Sequence, residues 1–383
     1  MPFRTPFQQA VVASLVLTLL GGSAVGLYIL LAPLAGIPVQ QSMTLGRLHG
    51  QMQLVGFVAL LVAAVGLELV PRSRAAAPVP ARWARLVVGG ILLGVLLRVL
   101  GLASAGAALV TAAALSYAFL TLRALATGRT SGRPDDAPLA AAIVWLPLGA
   151  GLELASTLDP MTAGVTHTAS IAAILYGAIG GHILAFAVRL APAFANMQVP
   201  SGRVVIASAV LWNAAVLLTS AGYQLAWLGA AAAWALAAGA MDVSGRRRPI
   251  LSEAPLHAVV ARWAFRATFA WAIVFSGVAV LFTETQARHA FAFGVVLSVL
   301  FGVGARLIPA LAGGRAASPT NTLAALALVS AAAALRLLAE LMVLPYAVAA
   351  AASGILAYLA LLVFGYAILR AISVQRTTAP ARA

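Results

Sequence analysis

Five histidines, His49, His167, His182, His257 and His289, are the side chains of this sequence best suited to chemistry. Neutral imidazole is the commonest protein ligand for transition metals, and it also binds haem iron. Cysteine is absent, which excludes disulfides, zinc–thiolate sites, iron–sulfur clusters and thiol nucleophiles. Histidine ligation of haem or copper is the option left. His49, His167 and His289 precede the prolines Pro71, Pro192 and Pro309 by roughly six to seven helical turns, and His182 precedes Pro192 by about three. On a helix the first three stand roughly 30–37 Å from the proline end, with His182 at about mid-membrane. An ionisable group at that depth is a functional candidate by default. A lone histidine at an outer edge is equally well an interface residue, and His257, at the other membrane face, is read as one. His49 and His167 share a helix face. His289 is displaced two positions, about 200° round, so the three cannot meet at one axis from equivalent faces.

Arg98 and Arg336 stand at the same offset beyond Pro71 and Pro309, inside apolar segments. An arginine there costs roughly 2.5–3.5 kcal/mol on insertion scales and needs a partner. Carboxylates such as haem propionates pair with guanidinium bidentately. Glu340, four residues after Arg336, offers an ordinary i,i+4 ion pair instead. Arg98 has no acid in its own helix, and Glu153 is the expected counter-charge. Glu68, Arg189 and Arg306 sit three residues before the prolines and read as interface anchors, with a proton path as the alternative for Glu68. No nucleotide loop, zinc-protease motif or nucleophile elbow occurs.

The elements that must hold these groups follow from composition. Of 383 residues, 63% are hydrophobic and 9% charged, against about 25% charged in soluble domains. Such a surface cannot cover a soluble core, and the long unbroken apolar runs exclude an outer-membrane barrel. The expectation is an all-α polytopic membrane protein with twelve spans, near 8–32, 49–70, 83–104, 106–127, 138–157, 166–190, 203–220, 223–241, 256–282, 287–309, 320–342 and 345–370. The first is read as a retained span, because its apolar run outlasts a signal-peptide core. All 24 basic residues are arginine and the net charge is +15. They cluster at Arg4, Arg72, Arg74, Arg82, Arg123, Arg129, Arg133, Arg203, Arg246–Arg248, Arg315, Arg376 and Arg382. That asymmetry places both termini in the cytoplasm and makes a nucleic-acid partner unnecessary.

A repeat underlies the spans. At one shared offset before each proline stand Gly56, Gly177 and Gly294; nearer to it stand Gly66, Ala187 and Gly304; at one shared offset after it stand Arg98, Thr219 and Arg336. The chain divides into units 1–127, 128–241 and 242–383, one membrane domain of three four-helix units. Small residues at these positions let helices approach closely. The prolines are expected just past their helices, where a missing N–H costs nothing.

Two stretches carry a family resemblance. The run from His49-Gly50-Gln51 to Leu67-Glu68-Leu69-Val70-Pro71 resembles helix 2 of haem–copper oxidase and nitric-oxide reductase catalytic subunits. The run from His289-Ala290-Phe291 to Arg306-Leu307-Ile308-Pro309-Ala310 resembles the corresponding part of NnrS-type membrane proteins, which respond to nitric oxide. Both groups have twelve helices in pseudo-threefold order. The resemblance implies a bacterial-type inner membrane location and haem b, with copper as a further metal. It implies His49 and His289 as haem ligands, His167 or His182 as a remaining metal ligand, and Arg98 and Arg336 near the cofactor. A small gas such as nitric oxide and partner membrane subunits are the implied partners besides lipid. The seventh span has no histidine and the tenth has one rather than a pair, so the implied role is sensing, nitric-oxide relief or electron transfer, not oxygen-reducing turnover. The alternative is a metal-free transporter or structural subunit on the same scaffold, the transporter having a polar central cavity near Tyr176, His182 and Asn213.

Overall fold

The computed structural model describes residues 5–39, 42–130, 132–159, 161–245 and 255–373. In chain order its main helices are α1 (Pro6–Ala35), α2 (Thr44–Arg74), α3 (Ala81–Val99), α4 (Ala103–Thr127), α5 (Asp136–Leu158), α6 (Ala163–Ala195), α7 (Gly202–Ser220), α8 (Gln224–Ala240), α9 (Leu256–Leu281), α10 (Gln286–Leu311), α11 (Pro319–Glu340) and α12 (Tyr346–Ser373). No strand occurs among the described residues. All but α3 and α8 are long and apolar enough to cross a membrane. The chain is therefore an all-helical, multi-pass membrane protein. α3 falls short because Arg82, Arg85 and Arg98 interrupt its apolar run, and α8 because it is shorter. Of the orienting arginines, Arg4, Arg246–Arg248, Arg376 and Arg382 lie outside the described residues.

Helices α2, α6 and α10 form the centre. Of their most apolar stretches 67%, 83% and 67% is buried, against 28–44% in the other long helices. They touch one another, while the remaining helices pack as antiparallel neighbours around them and α12 returns to α1. The glycines at Gly56, Gly177 and Gly294 explain part of this packing. Their bare backbones receive Leu17 of α1, Trp145 of α5 and Trp271 of α9, where any Cβ would collide.

The three central helices share irregularities at one register. Each contains a π-helical stretch: Met52–Ala59, Ala173–Gly180 and Ala290–Leu297. All three stretches begin and end at the same offsets from their prolines. Four residues past each proline the backbone turns left-handed, at Ala75, Asn196 and Gly313. π-helical turns are rare and frequent at functional sites, so their coincidence across three helices is informative.

The prolines correct the expectation drawn from sequence. Pro71, Pro192 and Pro309 lie inside the last turn of α2, α6 and α10, not beyond it. A proline there removes one helical hydrogen bond and frees a carbonyl. At Pro309 the freed group is the carbonyl of Ala305, and it accepts the Ala317 N–H at 2.9 Å. The interface anchors also have specific work. Arg189 donates to the Ser73 carbonyl and Arg306 to the Phe194 carbonyl, each at 3.4 Å. In both cases the arginine three residues before one proline reaches the carbonyl two residues past another. Glu68 cannot donate in this way. It pairs with Arg72 at 2.7 Å, and near the third junction Gln8 of α1 donates at 3.0 Å to the Ala312 carbonyl, three residues past Pro309 rather than two.

Candidate functional site

Buried polar side chains lie at both ends of the bundle: at the proline end Arg74, 1% exposed, pairs with Asp135 and Asp136, and at the opposite end stand the candidate residues. Glu153, near the end of α5, is 5% exposed and is the first hub. Arg98 of α3 forms a salt bridge with its Oε1. Gln51 of α2 donates to the same oxygen at 3.2 Å, and His167 of α6 donates from Nδ1 to Oε2 at 2.8 Å. Three helices thus deliver donors to one carboxylate. The turn between α5 and α6 makes this possible, since it folds His167 back beside Glu153. Asp159 fastens that turn by accepting from the Met161 N–H at 2.9 Å and the Thr162 hydroxyl at 2.8 Å. Those two donors, the hydroxyl first, hold its carboxyl below the ordinary aspartate range.

A second hub lies on α11. Arg336 pairs with Glu340 at 2.8 Å, donates to the Tyr346 hydroxyl at 3.3 Å and lies over the Tyr346 ring. His289 Nδ1 stands 3.7 Å from Glu340, too far for a hydrogen bond, and is a buried nitrogen with no partner. The Arg336 Nε is buried and unpartnered as well. A third carboxylate, Glu284, grips Arg288 bidentately at 2.8 and 2.7 Å and accepts from the Tyr176 hydroxyl. Tyr176 is fully buried among Trp227, Phe275 and Phe291.

His49 sits beside α1. Its Nδ1 lies 2.7 Å from the Gly22 carbonyl, which can only accept, so Nδ1 carries the proton and Nε2 the lone pair. Gly26 makes room for the ring: a Cβ there would stand 2.7 Å from the His49 Cε1. The structure places His49 on α2 beside α1 and His289 on α10, where Glu340 of α11, the partner of Arg336, stands 3.7 Å from it. It does not bring the other two proposed ligands to them. His167 belongs to the Glu153 hub. His182, buried at mid-helix, donates from Nδ1 to the Ala178 carbonyl at 2.7 Å and accepts the Tyr117 hydroxyl at Nε2, 2.9 Å away. Both its nitrogens are engaged. Among the described residues no three histidine, aspartate or glutamate side chains stand together as a metal cluster.

No family model matches the chain, and no curated protein matches it.

Several participants escaped the reading of the sequence. Gln51 had a signal, because it stands at the same offset before Pro71 as His289 before Pro309. Each occupies the same register beside an arginine–glutamate pair. Tyr117 and the Gly22 carbonyl had none. The central space likewise differs from the polar cavity a transporter would need. Asn213 bonds Trp145 and the Ala209 carbonyl, Tyr176 bonds Glu284, and the cavity between α2, α6 and α10 is lined by aliphatic and aromatic side chains with His182.

Proposed function

We propose that the chain is an NnrS-like inner-membrane protein of twelve spans in three four-helix units, which binds haem b, with copper as the alternative metal, through His49 and His289. The state of these two imidazoles carries the reading. A ligating histidine is ordinarily fixed through its second ring nitrogen, and the Gly22 carbonyl holds His49 in that way, leaving Nε2 available. His289, on a neighbouring central helix, keeps a buried nitrogen without a partner. This donor set suits an iron between two imidazoles. Bound haem would supply a one-electron centre or a seat for a diatomic gas such as nitric oxide. The chain's own contribution is orientation and charge balance: Gly22 sets the His49 tautomer, and Glu340 offsets Arg336 near His289. The orphan Nε of Arg336 is the donor best placed for a propionate, whereas Arg98 is committed to Glu153.

The shared registers of the π stretches, the left-handed caps and the arginine-to-carbonyl bonds support the three-unit reading. Arg72, Arg74, Arg123, Arg129, Arg133, Arg203 and Arg315 lie toward the proline end, which supports cytoplasmic termini. The decisive experiment is the absorption spectrum and metal content of the purified chain. A Soret band that disappears in His49→Ala and His289→Ala is expected. Protein with neither a Soret band nor bound iron or copper overturns the proposal.

One observation favours the second reading, a metal-free transporter or structural subunit. Arg98 and Arg336 already have carboxylate partners in Glu153 and Glu340, so neither requires a cofactor to be tolerated. The same spectrum decides between the two.

A further inference from the structure

Between α2, α6 and α10, with Phe265 of α9, lies a half-open cavity of about 110 Å³. It is built by equivalent positions of the three helices. Val58, Ile179 and Val296, at one shared offset before their prolines, form one level, and Val65, Phe186 and Val303, at a second shared offset, form another. The walls continue to Ile308, immediately before Pro309, so the space runs about 18 Å along the helix axes by the helical rise. His182 is the one polar side chain in its wall. Both its ring nitrogens are satisfied, by the Ala178 carbonyl and the Tyr117 hydroxyl.

A buried water needs two to four polar partners, and an apolar cavity of ~150 Å³ stays dry and takes up benzene or xenon. The walls here have no side-chain donor or acceptor to spare. A molecule with hydrogen-bonding groups would be stripped of water without compensation. We propose that it is a binding site for a small apolar molecule of the size of a xenon atom or a diatomic gas. The site lies toward the proline end of the central helices, apart from the His49–His289 pair, and does not depend on a bound metal.

The test uses xenon as the probe on the full chain in detergent, followed by xenon NMR and by a xenon-pressurised structure. One saturable xenon site on the axis is expected. Val303→Phe places on α10 the side chain that Phe186 already supplies at the same level of α6, and it should weaken uptake at least about tenfold by filling the space. Phe186→Ala should do the opposite and raise occupancy, so the proposal remains testable even if the bulkier variant fails to fold. Absence of saturable uptake overturns the proposal. So does uptake that neither substitution changes, and so does an ordered water or a lipid acyl chain occupying the cavity.

Discussion

Arg98 and Glu153, on α3 and α5, form a buried ion pair between helices that are not consecutive in the chain. The carboxylate also holds Gln51 and His167, so one acid joins four helices. Removing one partner of a buried pair leaves an uncompensated charge, which costs about 3–5 kcal/mol, while replacing both with apolar groups is often near neutral. Glu153→Leu should therefore lower thermal stability sharply, and Arg98→Met/Glu153→Leu should recover much of the loss. Unfolding followed by circular dichroism in detergent checks this. Equal losses in the single and double variants would show that the pair is not what holds α3 to α5.

Gly26 tests the seat of His49. A methyl group at this position would stand 2.7 Å from the His49 Cε1 and Nδ1, too close for any real contact. Gly26→Ala should displace the ring from the Gly22 carbonyl, at about 1–3 kcal/mol of overpacking. Gly89 of α3 faces open space, so Gly89→Ala should stabilise by up to ~1 kcal/mol through helix propensity alone. If His49 ligates haem, Gly26→Ala should also shift or abolish the Soret band while Gly89→Ala leaves it intact. An unchanged spectrum in Gly26→Ala haem-loaded protein would remove His49 from the ligand set.

Tyr117 and His182, on α4 and α6, satisfy each other inside the bundle. Tyr117→Phe leaves the His182 Nε2 lone pair without a donor beside an apolar cavity, at a cost of about 1–3 kcal/mol. Substituting both, as Tyr117→Phe/His182→Leu, should return most of that stability, since no polar atom is then stranded. Nitrogen NMR of labelled histidine should find the His182 proton on Nδ1. A proton on Nε2 would contradict the bond to the Ala178 carbonyl.

The elements were legible in the sequence to the extent that they depend on apolar length. Each long helix contains an apolar run that a soluble core would not need, and only α3, broken by three arginines, and α8, cut short, strain the criterion. Glu153 could be named as the partner of Arg98 because a buried arginine demands an acid and few acids exist. The helix ends could not be placed. Whether a proline terminates a helix depends on who caps the carbonyl it frees, and Ala317, which caps Ala305, lies beyond the helix in the loop that leads to α11. The tautomer of His49 was hidden for a related reason: its partner is a backbone atom of α1, and backbone atoms leave no mark in a sequence.

The junctions among the central helices give a last prediction. Arg189 and Arg306 each close one junction by donating to a carbonyl two residues past a neighbouring proline. At the third, the equivalent position is Glu68, and Gln8 of α1 donates to the Ala312 carbonyl instead. Gln8→Ala should cost more than the ~0.5–1.5 kcal/mol of that one bond, because the Gln8 side chain also accepts from the Thr5 N–H in the capping box of α1. Glu68→Arg alone should be close to neutral. It sacrifices only the pair with Arg72, whose side chains are 31% and 55% exposed, and such surface pairs contribute about 0–1 kcal/mol. Placed together, the new arginine should supply the donor that Gln8→Ala removed, so the double variant should be more stable than the two single effects sum to. A double-mutant cycle by thermal unfolding reads that coupling directly. Strict additivity would mean that Gln8 does not stand in for the missing arginine, and that the third junction is held by other contacts.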